Sequence, residues 1–333
     1  MFVKPYPDEV QRTQVRLVAV GYQEAGMRLD RFLKEQISHA PLSLLQKLLR
    51  TGQVRVDSKR KKGNYRLVEG DKVRIPPITI VPDGVAGTKA RKVRCPPGVV
   101  EKIARQILYI DDSLLVLDKP SGMAVHGGSG QGWGAIDAVR EYLAVGGETS
   151  SSLQPELCHR LDLDTSGCLL FGLGKYATRT LTAGFRDGSI DKGYVALVKG
   201  RPSPAKGLID RSLLKGVVRG GERMVVTDES GEGQVARTRY QIEQEFPEAS
   251  LMNITLETGR THQIRVHFQS IGHPVAQDHK YGDRDFNQQM KLKGLSRLFL
   301  HARSLIFSHP VSNKKVEVLA PLDPVLQVVL DNL

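Results

Sequence analysis

Nine residues, His159-Arg-Leu-Asp-Leu-Asp-Thr-Ser-Gly167, bring two carboxylates, an imidazole, a guanidinium and two hydroxyls together just ahead of an apolar run. A reactive carboxylate could be built there, and the same groups could equally satisfy the backbone of an Asx or Ser/Thr turn. A second cluster, Thr258-Gly-Arg-Thr-His-Gln-Ile-Arg-Val-His267, puts His262 and Arg265 in the first turns of an expected helix. A helix N-terminus beside such groups suits an anion. A third, Asp118-Lys-Pro-Ser-Gly122, reads as a strand running into a tight turn.

Other chemistries lack their spacing. Gly130-Gln-Gly-Trp-Gly-Ala135 fits a loose dinucleotide pattern, yet no strand leads into it and no acid follows at the right distance. No GxxxxGK[ST] is present. His262 and His267 are five apart, which does not fit the HExxH of a zinc protease, and Ser166 sits outside any GxSxG elbow. Three cysteines, Cys95, Cys158 and Cys168, form no CxxC pair, so neither a disulfide framework nor a structural zinc is planned. A carboxylate site needing no metal and no cofactor remains.

The elements that must position it follow from periodicity. Short apolar strands are expected at 107–110, 114–117, 168–173, 194–198, 237–242, 251–256 and 316–319, with helices from Lys175 to about Arg186 and around Ile264, His267, Phe268 and Ile271, ended by Gly272 and Pro274. Strands joined mostly by turns, with too few helices for βαβ repeats, imply an α+β fold with a largely antiparallel mixed sheet.

The charge lies elsewhere. Residues 27–94 hold 17 Lys/Arg against 6 Asp/Glu, a net of +11 out of the chain's +12. That concentration is an electrostatic footprint for a polyanion. The segment also has folded periodicity: Leu29, Phe32, Leu33 and Ile37 at helical spacing, a second helix from Pro41 to Gly52 carrying Leu42, Leu45, Leu48 and Leu49, then a strand at Val54 and Val56 and another ending at Ile75. Arg28, Arg31, Lys47, Arg50, Arg55, Lys59, Arg60, Lys61 and Lys62 are the expected phosphate contacts, acting mainly by counterion release. The 333 residues therefore divide into an extension at 1–15, a small basic α+β module at 16–77, a linker rich in Pro, Gly and Lys/Arg at 78–102, and a larger domain at 103–333. No apolar run is long enough to span a bilayer, and the start lacks the apolar stretch of a secretory signal. A reduced, cytoplasmic protein is expected.

Five motifs in order resemble the RluA family of pseudouridine synthases: Asp118-Lys-Pro-Ser-Gly122, His159-Arg-Leu-Asp-x-x-Thr-Ser-Gly167, Lys192-x-Tyr194, Gly259-Arg-Thr-His-Gln-Ile-Arg-Val-His267 and Leu300-His301. The stretches Ala124-Val-His-Gly-Gly-Ser-Gly130, Gly221-Glu-Arg-Met-Val225 and Tyr281-Gly-Asp-Arg-Asp-Phe286 resemble most closely its RluC branch. The basic module is similar to the small RNA-binding module shared by a small-subunit ribosomal protein and some tRNA synthetases, through Arg28-Leu-Asp-Arg-Phe-Leu33 and Gly52-Gln-Val-Arg-Val56.

The resemblance implies isomerisation of uridine to pseudouridine in large-subunit (23S) ribosomal RNA, by a monomer without cofactor. The N1–C1′ bond breaks, the uracil turns and C5 takes the place of N1. Asp162 is then the catalytic aspartate, as a nucleophile on sugar or base or as the base that takes a sugar proton. Arg265 pairs with it, since a carboxylate in a water-poor pocket needs a cation to stay ionised. Tyr194 lies beside the uracil, and Arg160 helps to hold the displaced nucleotide. The target base must be everted, or presented in a loop, before it can react. Asp164 is the rival acid. The alternatives are a synthase for another ribosomal or transfer RNA site, and a ribosome-assembly protein that binds RNA without chemistry.

Overall fold

The computed structural model describes residues 11–21, 24–37, 40, 42–80, 95–127, 132–145, 155–219 and 222–333. The chain falls into two compact units, Met1–Lys92 and Val93–Leu333.

In the smaller unit, β1 (Gln11–Arg12) and β2 (Arg16–Ala19) lead into α1 (Leu29–Gln36) and α2 (Leu42–Arg50), followed by β3 (Arg55–Val56), β4 (Lys72–Ile75) and β5 (Thr79–Ile80). Strands β2, β4 and β3 form an antiparallel sheet, and β1 pairs with β5. Leu29, Phe32 and Leu33 of α1 and Leu45 and Leu48 of α2 meet Val54, Val56, Val73 and Ile75 in one apolar core. The heptad-like leucines thus point inward and leave the Lys and Arg between them in water.

Two expected boundaries shift. The Thr13 N–H donates to the Ile78 carbonyl at 2.9 Å, so the unit begins before residue 16 and runs past 77. Residues 95–102 of the expected linker are folded as well: Cys95 is buried and α3 (Val99–Arg105) packs Val99 and Ile103 into the larger core. Pro96, Pro97 and Gly98 disguise that helix, although breakers are tolerated ahead of a first turn. Residues 81–94 of the linker, residues 1–10 of the extension and the helix start at Pro41 lie outside the described residues.

The larger unit continues with β6 (Ile107–Ile110), β7 (Leu114–Lys119), α4 (Ala135–Val145), β8 (Pro155–Leu157), β9 (Ser166–Leu173), α5 (Lys175–Asp187), β10 (Asp191–Lys199), β11 (Lys206–Asp210), β12 (Leu213–Arg219), β13 (Glu222–Thr227), β14 (Arg237–Glu245), β15 (Ala249–Leu256), α6 (Gln263–Ser270), α7 (Arg284–Leu292), β16 (Leu300–Ser308), β17 (Lys315–Leu319) and α8 (Pro324–Asp331). Ten of these strands make one sheet in the order β11-β14-β15-β10-β16-β9-β7-β6, with β17 on β16 and β8 on β9. The pairings are antiparallel except β16 with β9, which run parallel through His301–Ser166 and Ala302–Gly167. The sheet is mixed and largely antiparallel, as expected. Alongside it, β12 and β13 form a separate hairpin.

Both faces of the sheet are covered. Leu115 and Leu117 of β7 and Leu169 and Phe171 of β9 pack with α4 and with Ile264 and Phe268 of α6. The alternate residues Leu114, Val116, Cys168 and Leu170 pack on the opposite side with Leu181 of α5. Val195 and Leu197 of β10 meet Phe286 and Met290 of α7 and Leu326 and Val329 of α8. Strands buried on two sides need apolar residues at every position, hence their unbroken apolar runs.

Gly167, at the one parallel junction, has φ +106°, and a Cβ there would lie 2.2 Å from the Ala302 carbonyl oxygen. Only glycine allows β9 and β16 to approach this closely.

Candidate active site

The loop between β8 and β9 carries Asp162 and is fixed at both ends and beneath. At its start, the Leu170 N–H donates to His159 Nε2 at 3.0 Å, and the imidazole stacks on Phe185 with centroids 4.2 Å apart. Burial pushes the His159 pKa down to about 3, so this ring is a neutral structural clamp. At its end, the Ser166 hydroxyl donates to His301 Nδ1 at 2.9 Å while His301 Nε2–H donates to the Ala320 carbonyl at 3.3 Å. Burial takes His301 down to about 4.

The turn after β7 supports the middle. Buried Lys119 donates to the carbonyls of Pro120, Met123 and Leu163 at 2.9, 2.9 and 3.0 Å. The Gly122 N–H also reaches Leu163, and the Ser121 hydroxyl donates to the Asp164 carbonyl at 2.8 Å. Burial pulls the ammonium pKa down to about 7, against three acceptors that match the three N–H bonds of its charged form. The motif Asp118-Lys-Pro-Ser-Gly122 is therefore a bracket for the acidic loop, a role its sequence does not announce.

Asp162 Oδ2 lies 3.4 Å from Arg265 Nη1 on α6. The two groups that sequence pairs are thus brought together, but the stronger partner of Arg265 is another acid. Its Nε and Nη2 donate to Asp278 Oδ2 and Oδ1 at 2.6 and 2.8 Å, a bidentate fork. The fully buried Asp278 carboxylate also accepts the N–H groups of Lys280 and Tyr281 at 2.9 Å each. Burial opposes the charge on both groups. Their mutual hydrogen bonds overcome it, so Asp278 titrates below its ordinary range and Arg265 above. Sequence reasoning missed Asp278; the available signal was an acid following the apolar Val275-Ala276, just past the helix stop at Gly272 and Pro274.

His262 precedes α6 in the left-handed region, φ 55°, with Nε2 3.9 Å from Asp162 Oδ2. Its Nδ1 is 2.8 Å from the Tyr281 hydroxyl, whose oxygen accepts the Val225 N–H at 3.1 Å. The phenol proton then goes to Nδ1 and leaves Nε2 as the N–H facing the acid. Burial lowers the His262 pKa, which keeps this tautomer neutral. The other groups of the same motif serve the frame: Gln263 bonds Thr258, Arg260, Arg237 and Thr238, and His267 bonds Thr238 and the Arg211 carbonyl.

Around Asp162 opens a cleft of about 640 Å³, lined by Arg160, Asp164, His262, Arg265, Lys280 and Arg297 among others. That size admits a nucleoside. A smaller recess of about 100 Å³, also bordered by Asp162 and Arg265, ends on Tyr194, Leu256 and Leu300. Tyr194 falls where the register of β10 against β16 slips between Gly193 and Val195, a bulge that re-aims a side chain. Burial, and then the charge of Asp162, raise the Tyr194 pKa, so the phenol keeps its proton. Arg160 is exposed on the lip of the cleft, and Asp164 is exposed two residues beyond Asp162.

In the smaller unit, Arg31, Lys47, Arg50, Arg55, Lys59, Arg60 and Lys62 are exposed, as expected. Five of the expected contacts are partly engaged at home, among them Arg31 with Glu35 at 3.5 Å and Arg55 with the Ser58 carbonyl at 3.3 Å. Arg28 pairs with Asp30 at 2.6 Å, Lys61 sits 4.4 Å over the Tyr65 ring, and Arg60 donates to the Arg50 carbonyl.

A carboxylate–guanidinium–carboxylate array, sealed at Asp278 and open at Asp162 to a nucleoside-sized cleft, on a mixed sheet covered on both faces, defines a carboxylate-dependent enzyme site. Residues 113–270 match the family described as RNA pseudouridylate synthase. The ribosomal large subunit pseudouridine synthase C of Salmonella typhimurium is 42% identical over 326 residues, covering 96% of this chain and 97% of that one. Its Escherichia coli K12 counterpart is 41% identical over 332 residues, covering 98% of each. Among solved structures, human RNA pseudouridylate synthase domain containing 4 superposes with a TM-score of 0.59 at 26% identity, over 70% of this chain and 95% of that one. The chain belongs to the RNA pseudouridylate synthase family, and its activity is that of an isomerase.

Proposed function

We propose that this enzyme converts uridines of large-subunit (23S) ribosomal RNA to pseudouridine, with Asp162 as the reacting group. The observation that carries the residue assignment is the carboxylate of Asp162, 3.4 Å from Arg265 and open to a cleft wide enough for an everted nucleotide. Near-full-length likeness to synthases named for the large ribosomal subunit supports the choice of RNA. The reaction is an internal rearrangement: the C1′–N1 bond is exchanged for C1′–C5, the C5 proton is lost and N1 regains one. Arg265 sets a positive charge beside the Asp162 carboxylate, while Tyr194 offers the uracil a ring face and a protonated hydroxyl. Arg160 holds the nucleotide at the lip. The basic smaller unit supplies affinity of low sequence content. Three buried free thiols, each raised by burial to about 12, fit a reducing cytoplasm, and the protein acts as a monomer.

Asp162→Asn is isosteric and leaves the cleft in place, so RNA affinity should stay within about twofold while pseudouridine formation disappears. Appreciable turnover by that variant would remove Asp162 from the chemistry. Mapping pseudouridines in ribosomal RNA from cells with and without the protein tests the substrate: loss at large-subunit positions is expected, and loss confined to other RNAs refutes the assignment.

A further inference from the structure

The cleft at Asp162 accounts for one nucleotide, and the chain's single tryptophan lies in neither of its recesses. Trp133 instead lines a separate cavity of about 500 Å³ with Lys102 and Arg105 of α3, Gln106 and the turn Ser121-Gly122. The two cavities share one segment. Residues 120–123 wall the tryptophan cavity and 124–127 wall the cleft, so their linings meet between Met123 and Ala124. The segment is the bracket that bonds Leu163 and Asp164 beside the acid.

Three features of this second cavity point to one kind of occupant. Trp133 is half-buried, with its body packed on the core, which holds an indole rigidly at the cavity wall. Lys102 and Arg105 are exposed at the end of α3 and add positive charge. Gln106 Oε1 is buried without a hydrogen-bond partner among the described residues. Such an acceptor is costly to leave unpaired and calls for an N–H from outside. An aromatic face, an amide acceptor and two cations are the groups that grip a nucleotide by its ring, its edge and its phosphate.

We propose that this cavity is a subsite for a nucleotide adjoining the target uridine in the RNA strand, its base stacked on Trp133 and its edge donating to Gln106 Oε1, with Lys102 and Arg105 on the phosphate. The inference rests on the RNA-modifying reading above and extends it from the reacting nucleotide to its neighbour. Every RNA base carries an N–H donor on an edge, so the subsite favours a single-stranded, unstacked neighbour over any one base.

The lone tryptophan makes the test direct. The full-length Asp162→Asn chain is titrated with uridine 5′-monophosphate and with a short mixed-sequence single-stranded oligoribonucleotide, following Trp133 fluorescence and, separately, anisotropy of labelled RNA. The oligonucleotide should quench the tryptophan and the mononucleotide should not. In the chain with Asp162 intact, Trp133→Ala should raise KM for RNA about tenfold, the scale of one lost stack, with a much smaller change in kcat, and Trp133→Phe should restore most of it. Gln106→Leu removes an unpaired oxygen, so it should melt no lower than the parent yet also raise KM. RNA that binds by anisotropy but leaves Trp133 fluorescence unchanged, with KM unmoved by Gln106→Leu, overturns the subsite, including the case in which a protein segment occupies the cavity. Pseudouridine formation by the unaltered chain separates the two readings. A chain that isomerises uridine with an indifferent tryptophan defeats the subsite alone, whereas a chain that makes no pseudouridine defeats the functional reading while quenching still decides the subsite.

Discussion

Arg265 serves two carboxylates of unequal exposure, and the inequality assigns their tasks. Asp278 is sealed, grips the guanidinium with two short bonds and itself accepts two backbone N–H groups, while Asp162 keeps one longer contact and an open face. On the proposed reading, the buried acid aims the arginine and the partly open acid is the one that reacts. Asp278→Asn should therefore lower kcat by at least roughly tenfold with little change in KM, and cost about 3 kcal/mol of stability, because it leaves a buried guanidinium half-paired. Single-turnover rates and urea midpoints check both parts; unchanged kcat would leave Asp278 a purely structural residue. Asp162 and Arg265 were legible because each sits in a dense polar motif. Asp278 was not, since it reaches the site from a turn that has no periodicity, and nothing in its neighbours marks it as the guanidinium's main partner.

The elements explain why the site holds its shape. The acidic loop ends in β9, whose Gly167 lets β16 approach, and a methyl group there would collide with the Ala302 carbonyl. Gly167→Ala combines that clash with a strained φ, so a loss of about 3 kcal/mol or more is expected, read as a lower melting temperature together with lost turnover. A melting temperature within a degree or so of the parent would show that the junction has slack. The strands of the sheet's centre were readable because burial on both faces leaves them uniformly apolar, as at Leu114-Leu-Val-Leu117. The strand β16 was harder to see, since Ser304 and the buried His301 interrupt it, and His301 is tolerated inside only through its bonds to Ser166 and Ala320. Helix α7 was invisible for a related reason: it buries only Phe286 and Met290, while its third apolar residue, Leu292, lies in water and the rest are polar. The hairpin β12–β13 likewise mixes charge with apolar residues outside the main sheet.

Across the whole molecule, the excess positive charge and the Asp162 cleft fall in separate compact units, and the uneven Lys/Arg count already displays the first. Neutralising Lys59, Arg60, Lys61 and Lys62 together should reduce the salt slope of RNA binding by about 2, since each phosphate contact accounts for about 0.7–0.9 and only Lys59 and Lys62 are uncommitted. A loss near 3 in filter-binding titrations would mean that Lys61 leaves Tyr65 and Arg60 leaves Arg50 on the RNA. Acid should unfold the larger unit through its buried imidazoles. His301 has a folded pKa near 4, below its ordinary 6.5, so its contribution is present above pH 6.5 and is lost as pH falls toward 4. Its share between pH 6.5 and 5 is about 2 kcal/mol, and His159 acts in the same direction. Urea unfolding at the two pH values should show the loss, and His301→Gln should flatten it. The clasp between Ser166 and His301 joins positions 135 residues apart. Translation therefore delivers the acid long before the strand that pins its loop. A growing polypeptide still threaded through the exit tunnel carries Asp162 on a loop tied only to the turn after β7 and through His159, and it gains Arg265, Asp278 and the Ser166 clasp only as its last third emerges.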